Sequence, residues 1–436
     1  MKKIGVLVKN HSSIILKDQQ WESGKVLKTR RYIPGVYLRG AITDQLLQGR
    51  SYLNRCFDQL FCDPHRWGME IVFPNCYPNL NAYTFPMLLP ITAKSCKWKP
   101  GFVQDTSFDE QHGVFDTLLN QVIFRQVLAS STQSGRPSRS LSLIRDAYYR
   151  LIEQGTLYCS TCHGIADSYQ VEYAKPHGNF REIPVRTYCQ PGSVLTFARN
   201  RTEKDTSTDQ RGRFIEFISE RTWFLGFSFL PADPSLIGLY KDSLESITHL
   251  GEIGNQETGR VEVKVREIED HELSLRQRVL KLNQKYRQMQ KEYSVHQPDM
   301  LITVNLQSEI ILRDRNGKPA TRLDSSFLRE ELQRVYRRIA GEDLPLQATI
   351  CQEVISFSRP VYVEGWYSRG KSTDKAVPAI ARGSVFVFSF PGGISPKVFQ
   401  ALEHLEKSGI GENRGEGYGQ ILICDPFHLE VPAKSS

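Results

Sequence analysis

The feature that most constrains this chain is a stretch near its C-terminus, Gly409 to Ile421 (GIGENRGEGYGQI), in which five glycines fall within eleven residues. Glycine at that density marks backbone that takes positive φ or lies against something bulky. Before it, Val398, Phe399, Leu402 and Leu405 share one helical face; after it, Ile421, Leu422 and Ile423 read as a buried strand. The stretch is therefore a helix-to-strand loop. Its charged members, Glu412, Arg414 and Glu416, predict a tight, polar turn facing solvent.

The loop has an echo. Residues 225–264 run LGFSFLP, an amphipathic helix around Leu236 to Leu250, then LGEIGNQETGRVEVKV; residues 385–423 run VFVFSFP, a helix, then the glycine loop and its strand. SSIILKD at 12–18 matches SEIILRD at 308–314, GK recurs at 24–25 and 317–318, and YLR at 37–39 answers FLR at 327–329. This is an internal duplication. Each copy supplies strand, helix, strands, helix, glycine loop and strand, the βαββαβ order of a ferredoxin-like, RRM-like unit. The expected class is α+β with two such domains, the first at 1–267 enlarged by an insertion at about 71–182 and by a β-hairpin, the second at 299–436. The first copy's loop, 251–261, has fewer glycines and is expected to be structural.

A long helix, about 268–293 within a linker at 268–298, joins the copies. Leu275, Val279, Leu282, Tyr286, Met289 and Tyr293 step by four and three, a stripe expected to pack on the protein's own domains. The other faces carry Arg276, Arg278, Lys281, Lys285, Arg287 and Lys291 with no acid until Glu292, which allows contact with an RNA backbone.

Lys and Arg outnumber Asp and Glu by 56 to 48, a mild bias toward a polyanionic partner, so clustering matters more than the total. Residues 24–39 hold Lys25, Lys28, Arg30, Arg31 and Arg39 with no acid between them, and Pro34-Gly35 should turn them toward a helix N-terminus, an anion site. Residues 183–230 read as a β-meander whose polar tip bears Arg199, Arg201, Lys204, Arg211 and Arg213, diluted by Glu203, Asp205 and Asp209. Neither a signal peptide nor a membrane span is evident, which predicts a cytoplasmic protein with no membrane partner and reduced cysteines. Cys159-Ser-Thr-Cys162 then reads as half of a zinc site in a loop, completed by two ligands from elsewhere. Cys96 and His112 are the first candidates, with His163 and Cys189 in reserve. His112 stands in HGVFDTLL, a phrase expected to begin a helix.

Several phrases together resemble a known family. The YIPGVYLRGAI turn and the terminal GIGENRGEGYG are similar to motifs of the RAMP superfamily of CRISPR proteins. SCKWKPGF, HGVFDTLL, YCSTC and GWYSRGKSTDKAVPAIARGSVFVF resemble the double-RAMP subunit of type III-D effector complexes that caps the crRNA 5′ handle. The resemblance implies a non-catalytic RNA-binding subunit of an antiviral ribonucleoprotein. Its implied partners are the crRNA 5′ tag, the large signalling subunit, the backbone RAMP subunits and, indirectly, target RNA. It implies RNA contact by Tyr37 and Arg39 after the YIPG turn, by Gly409, Gly411, Arg414, Gly415, Gly417, Tyr418 and Gly419, and by the basic hairpin tip. It also implies zinc on Cys96, His112, Cys159 and Cys162. RGSVFVFSF at 382–390 begins like an RRM signature, but Ser384 and Val385 stand where an aromatic and a small residue belong, so it reads as a buried strand.

Two rival readings stand beside this one. His11 is the candidate general acid or base of a metal-independent endoribonuclease that processes crRNA precursor, with Asp18, Asp205 and Asp209 as loop carboxylates. A zinc-stabilised scaffold with little RNA contact is the other.

Overall fold

The computed structural model describes residues 1–16, 26–27, 29–47, 70–79, 86–103, 111–133, 137–174, 181–183, 187–191, 214–251, 258–268, 273–295, 299–314, 316–344, 351–363 and 376–430. The first half contains β1 (Lys2–Asn10), α1 (Gly35–Leu47), β2 (Tyr77–Asn79), β3 (Ala93–Cys96), β4 (Val114–Asp116), α2 (Leu118–Gln133), β5 (Ala166–Ser168), β6 (Trp223–Leu230), α3 (Pro234–Glu245) and β7 (Val261–Ile268). After it come α4 (Leu275–Glu292), β8 (Met300–Leu306), α5 (Ser325–Ala340), β9 (Gln352–Phe357), β10 (Val385–Phe390), α6 (Pro396–Ser408), β11 (Ile421–Ile423) and the short α7 (Pro426–Glu430).

The chain is a mixed α+β protein of small, mostly antiparallel sheets. One four-stranded sheet has the order β7-β1-β6-β2 and another β11-β8-β10-β9. In each, the first strand of its half lies between the third and the fourth, and the second takes the edge. Alternation explains the first sheet: Ile4, Val6 and Val8 of β1 and Val261, Val263 and Val265 of β7 are buried beneath one face. In the second sheet every residue of β10 is buried, as expected for RGSVFVFSF.

Helices α3, α4 and α5 start at capping residues, and the linker helix expected from about 268 begins only at Leu275, because β7 runs to Ile268 and Ser274 is the cap. Asp233 caps α3 through bonds from Ser235 and Leu236 N–H with Pro234 in the first turn, Ser274 and Gln277 close a capping box on α4, and Asp324 caps α5, whose end is Gly341 at φ 72°. On α4 the stripe Leu275, Val279, Leu282 and Tyr286 joins the core of the second sheet, each side chain adding roughly 1.5–3 kcal/mol of burial. That helix packs on its own chain.

The two glycine loops share three equivalent bonds among the described residues. Leu250 N–H donates to Gly259 O at 2.8 Å and Ile410 N–H to Gly419 O at 2.9 Å; Gly259 N–H donates to Ser13 O at 2.8 Å and Gly419 N–H to Glu309 O at 2.9 Å. Arg260 N–H donates to the Ser12 hydroxyl at 2.9 Å, and Gln420 N–H to the Ser308 hydroxyl at 2.8 Å. The SSIIL and SEIIL phrases are thus the floor of equivalent loops. Most of 251–261 lies outside the described residues.

Two local expectations are corrected. Residues 183–230 do not form one meander: Phe214–Ile218 pairs with Thr187–Pro191, whereas β6 leaves to pair with β1, because its alternate side chains fill the first core. HGVFDTLL does not open directly into a helix, since Val114–Asp116 first adds to β3 as a strand and α2 starts at Leu118.

Candidate metal centre and nucleic-acid interface

Four side chains from three separated segments converge beside β3. Cys96 ends β3, His112 precedes β4, and Cys159 and Cys162 sit in a knuckle following a π-helix, Tyr148–Leu157. Gly164 O accepts from Cys159 N–H at 2.7 Å, His163 N–H donates to Cys159 O at 3.0 Å, and His163 takes φ 55° to close the turn. Cys96 Sγ lies 3.6 Å from Cys162 Sγ, Cys159 Sγ lies 3.5 Å from His112 Nδ1, and all four ligand atoms fall within 4.8 Å of one another. This group could hold a metal ion. A tetrahedron with metal–sulfur bonds of about 2.3 Å has sulfur–sulfur edges of about 3.8 Å, so the donor spacing fits. Burial works to raise the Cys159 thiol, but N–H groups of Cys162 and Thr161 and bonds from Cys162 and His112 pull it down to about 7. The Gly164 N–H works to lower Cys162, yet burial and the neighbouring sulfurs of Cys96 and Cys159 outweigh it and hold the thiol up. His163 is exposed and outside the ligand group, and the Cys189 side chain is not among those described.

The C-terminal loop turns inward. Phe73 N–H donates to Gly415 O at 3.2 Å, Arg39 Nη1 lies 3.5 Å from Glu416 Oε1, and Arg414 Nε lies 3.6 Å from Glu70 Oε2. Gly417, at φ 90°, sits so close to the first half that a Cβ there would meet Asn75 Oδ1 at 2.5 Å and Phe73 O at 3.0 Å. Arg414 is only 13% exposed, and burial together with Arg334 lowers its pKa. Tyr418 packs against the small cluster of Ile311, Val363 and Ala379, and burial raises its hydroxyl. The expectation of a solvent-facing turn is therefore corrected. Gly409, Gly411, Gly415, Gly417 and Gly419 let two backbones approach, and the body they approach is this chain.

Of the other sequence candidates, Arg31 is exposed, Arg30 contacts the Tyr32 hydroxyl, and Tyr37 and Arg39 are half-buried on α1. Lys25, Lys28, Arg199, Arg201, Lys204, Arg211 and Arg213 lie outside the described residues, as do Asp18, Asp205 and Asp209. On α4 the cations divide. Arg278 is buried, its Nη1 donating to Ile423 O at 2.7 Å and Nη2 lying 2.6 Å from Glu406, and Lys285 donates to His428 O at 3.0 Å. Arg276, Lys281, Arg287 and Lys291 are exposed, and among the described residues none of the four has an ion-pair partner. His11 Nε2 lies 3.4 Å from Glu262 and lines a shallow hollow with His249 and Arg260.

Sequence reasoning missed the pin between the halves. Arg382 lies over Tyr32 and Tyr77, 3.0 Å from Glu172 and 3.9 Å from Glu309. Burial works to discharge it, but the two glutamates and two phenols outweigh that and raise its pKa; burial and Glu309 push Tyr32 up to about 12. No spacing rule links residues this far apart.

Fold and cluster define a mixed α+β protein with a three-cysteine, one-histidine group. No helix among the described residues is long and apolar enough to cross a membrane. No family model and no curated protein match the chain. Solved structures show a weak likeness. A Cas6 in a product complex covers 47% of this chain and 78% of its own at 14% identity and TM-score 0.30. A Cas6-related protein from Pyrococcus furiosus covers 78% and 98% at 12% identity and TM-score 0.29. A chain of the type III-B Cmr-beta complex bound to cognate target RNA covers 88% and 86% at 9% identity and TM-score 0.29. At these scores the likeness carries no argument about this chain, whose own residues must carry it.

Proposed function

We propose that this chain is a non-catalytic RNA-binding subunit of a type III CRISPR ribonucleoprotein, working in the cytoplasm in antiviral defence. It is built from two ferredoxin-like RAMP units, 1–267 and 299–436, around the linker helix. Its role is to grip the repeat-derived 5′ tag of the crRNA beside the large signalling subunit and the backbone subunits, and the type III-D assignment rests on the sequence phrases. The shared strand order of the two sheets and the repeated loop bonds support the duplication.

The observation that carries RNA binding is the outer face of α4. Arg276, Arg287 and Lys291 fall within about 60° around the helix, with Lys281 at the flank, over about 22 Å of axis. A row of solvated cations of that length matches several successive phosphates and reads no sequence by itself. The metal group is assigned to zinc as a structural ion, held by Cys96, His112, Cys159 and Cys162, because a closed sulfur-rich set with no open position suits zinc. When bound it supplies cross-linking of β3 to the knuckle.

The test is to incubate purified protein with 5′-tag RNA without divalent metal. The expected result is salt-dependent binding with the RNA intact. The hollow that gathers His11 and His249 with Arg260 favours one second reading, a metal-independent endoribonuclease. Cleavage abolished by His11→Ala would establish that reading in place of this one.

A further inference from the structure

The RNA-binding reading leaves one exposed group unused. Residues 97–99, Lys-Trp-Lys, follow the ligand Cys96, and all three side chains are exposed, Trp98 at 73%. The backbone beneath them is fixed. Lys97 N–H donates to Ile165 O at 3.0 Å, and His112 N–H donates to Lys99 O at 3.1 Å, so the loop is tied at one end to the segment leaving the knuckle and at the other to the ligand His112 itself. The indole rests beside the knuckle: a Cβ at Gly164 would meet Trp98 Cδ1 at 3.0 Å and Nε1 at 3.2 Å. Gly164 is the residue that lets the ring lie there. Tyr158, 40% exposed, bridges to Ile165, which puts the backbone of a second aromatic residue about 10 Å from the loop, two strand spacings away.

A large aromatic held in water on a rigid loop forgoes its burial, and its use is a flat ligand. Lysine on both sides selects among flat ligands. Protein-binding patches are depleted in lysine at their centres, whereas a ring between two mobile ammonium groups suits a base with its flanking phosphates. Burial works to discharge the nearby Lys94 and lowers its pKa, and Asp167 opposes that.

We propose that Trp98, flanked by Lys97 and Lys99, is a stacking site for single-stranded RNA mounted on the metal knuckle. It rests on the RNA-binding reading and adds a contact separate from the α4 cations.

The test uses full-length protein and a fluorescent twelve-nucleotide oligo(U), with blunt duplex RNA of equal length as comparison. Trp98→Ala should weaken oligo(U) binding on the order of tenfold and leave duplex binding unchanged, while Trp98→Phe keeps most of the affinity. Lys97→Gln with Lys99→Gln should flatten the salt dependence by about 1.4 log units per log unit of salt, two single-strand phosphates' worth. Metal content is measured for every variant, and if Trp98→Ala loses metal the lysine pair and Trp98→Phe decide. Oligo(U) binding equal to wild type in metal-replete Trp98→Ala and in the lysine variant overturns this site alone. Failure of wild type to bind any RNA overturns the parent reading. A Trp98→Ala protein that binds RNA normally but no longer assembles with a partner subunit would make the patch a protein contact and overturn the proposal.

Discussion

Arg382 lies over the ring of Tyr32, its Cζ 4.4 Å from the centroid, and the two residues come from opposite halves of the chain. Glu172 and Glu309, each 13% exposed, complete the cluster. Arg382→Ala would strand both carboxylates in a poorly hydrated interface. The expected cost is roughly 3–5 kcal/mol of stability, read as a shift in urea midpoint. Arg382→Lys should recover part of it, because a point charge meets the glutamates but cannot lie flat on the ring. A midpoint unchanged by Arg382→Ala would show that the cluster does not hold the halves together.

That pin marks the boundary of what was legible in the sequence. Local signals read well: the α4 stripe, the strand at 385–390, and a C-x-x-C knuckle in a loop all depend on neighbours close in the chain. The duplicated phrases also carried topology, since SSIIL and SEIIL make the same bonds to equivalent loops. What stayed hidden was which way a loop faces. GENRGEG is polar and glycine-rich whether it meets water, RNA or another part of the protein, and only the approach of Phe73 and Asn75 decides. Arg278 lies about 160° around α4 from Arg276, and the partner it meets there, Glu406, is a long-range contact that spacing does not name.

Gly417 offers a direct test of the inward-facing loop. Gly417→Ala adds a Cβ 2.5 Å from Asn75 Oδ1 on backbone already at φ 90°. The expected loss is about 2 kcal/mol or more, combining left-handed strain with displacement of the first half. Gly317→Ala is the control, with φ 74° and open space, so it should lose only about 1 kcal/mol. Equal losses in chemical denaturation would mean that the loop does not dock as described.

The cysteine group predicts about one zinc per chain by elemental analysis. Cys159→Ser should remove most of it and lower Tm by a few degrees, the shift expected for roughly 1–2 kcal/mol in a protein of this size. His163→Ala should leave metal content unchanged, because His163 stands outside the ligand group. Metal-free wild type, freshly purified, would overturn the assignment.

The Asp116–His428 pair predicts a pH effect. His428 Nδ1 donates to Asp116 Oδ2 at 2.8 Å, and Thr92 donates to Oδ1 at 2.7 Å. Burial works to raise the Asp116 carboxyl, but His428 and these bonds outweigh it and hold it below its ordinary 3.8. A depressed carboxyl stabilises the fold fully above the unfolded value and loses that contribution as pH falls through the folded one. Wild type should therefore exceed Asp116→Asn in stability at pH 7, and the gap should narrow below about pH 4. Asp425 is raised by burial and, in smaller part, by Asp116, so Asp116→Asn also relaxes Asp425 and the comparison reads the two carboxyls together. A gap that stays constant down to pH 3 would place the loss in packing.

The exposed face of α4 yields the sharpest prediction about RNA. Arg276, Arg287 and Lys291 point to solvent, while Arg278 is committed to Glu406 and Ile423 O. Replacing the three exposed cations with Gln removes charges that neutralise phosphates without touching the core. The slope of log affinity against log salt should flatten by about 0.7 for each phosphate no longer neutralised on single-stranded RNA, and the weakening should be uniform across sequences. Arg278→Gln should behave differently, lowering the unfolding midpoint while the salt slope of the surviving folded protein stays as in wild type. The contrast separates a rail for RNA from a solvated surface. If the triple variant binds tag RNA with unchanged affinity and slope, the helix is solvated and RNA binds elsewhere on the chain.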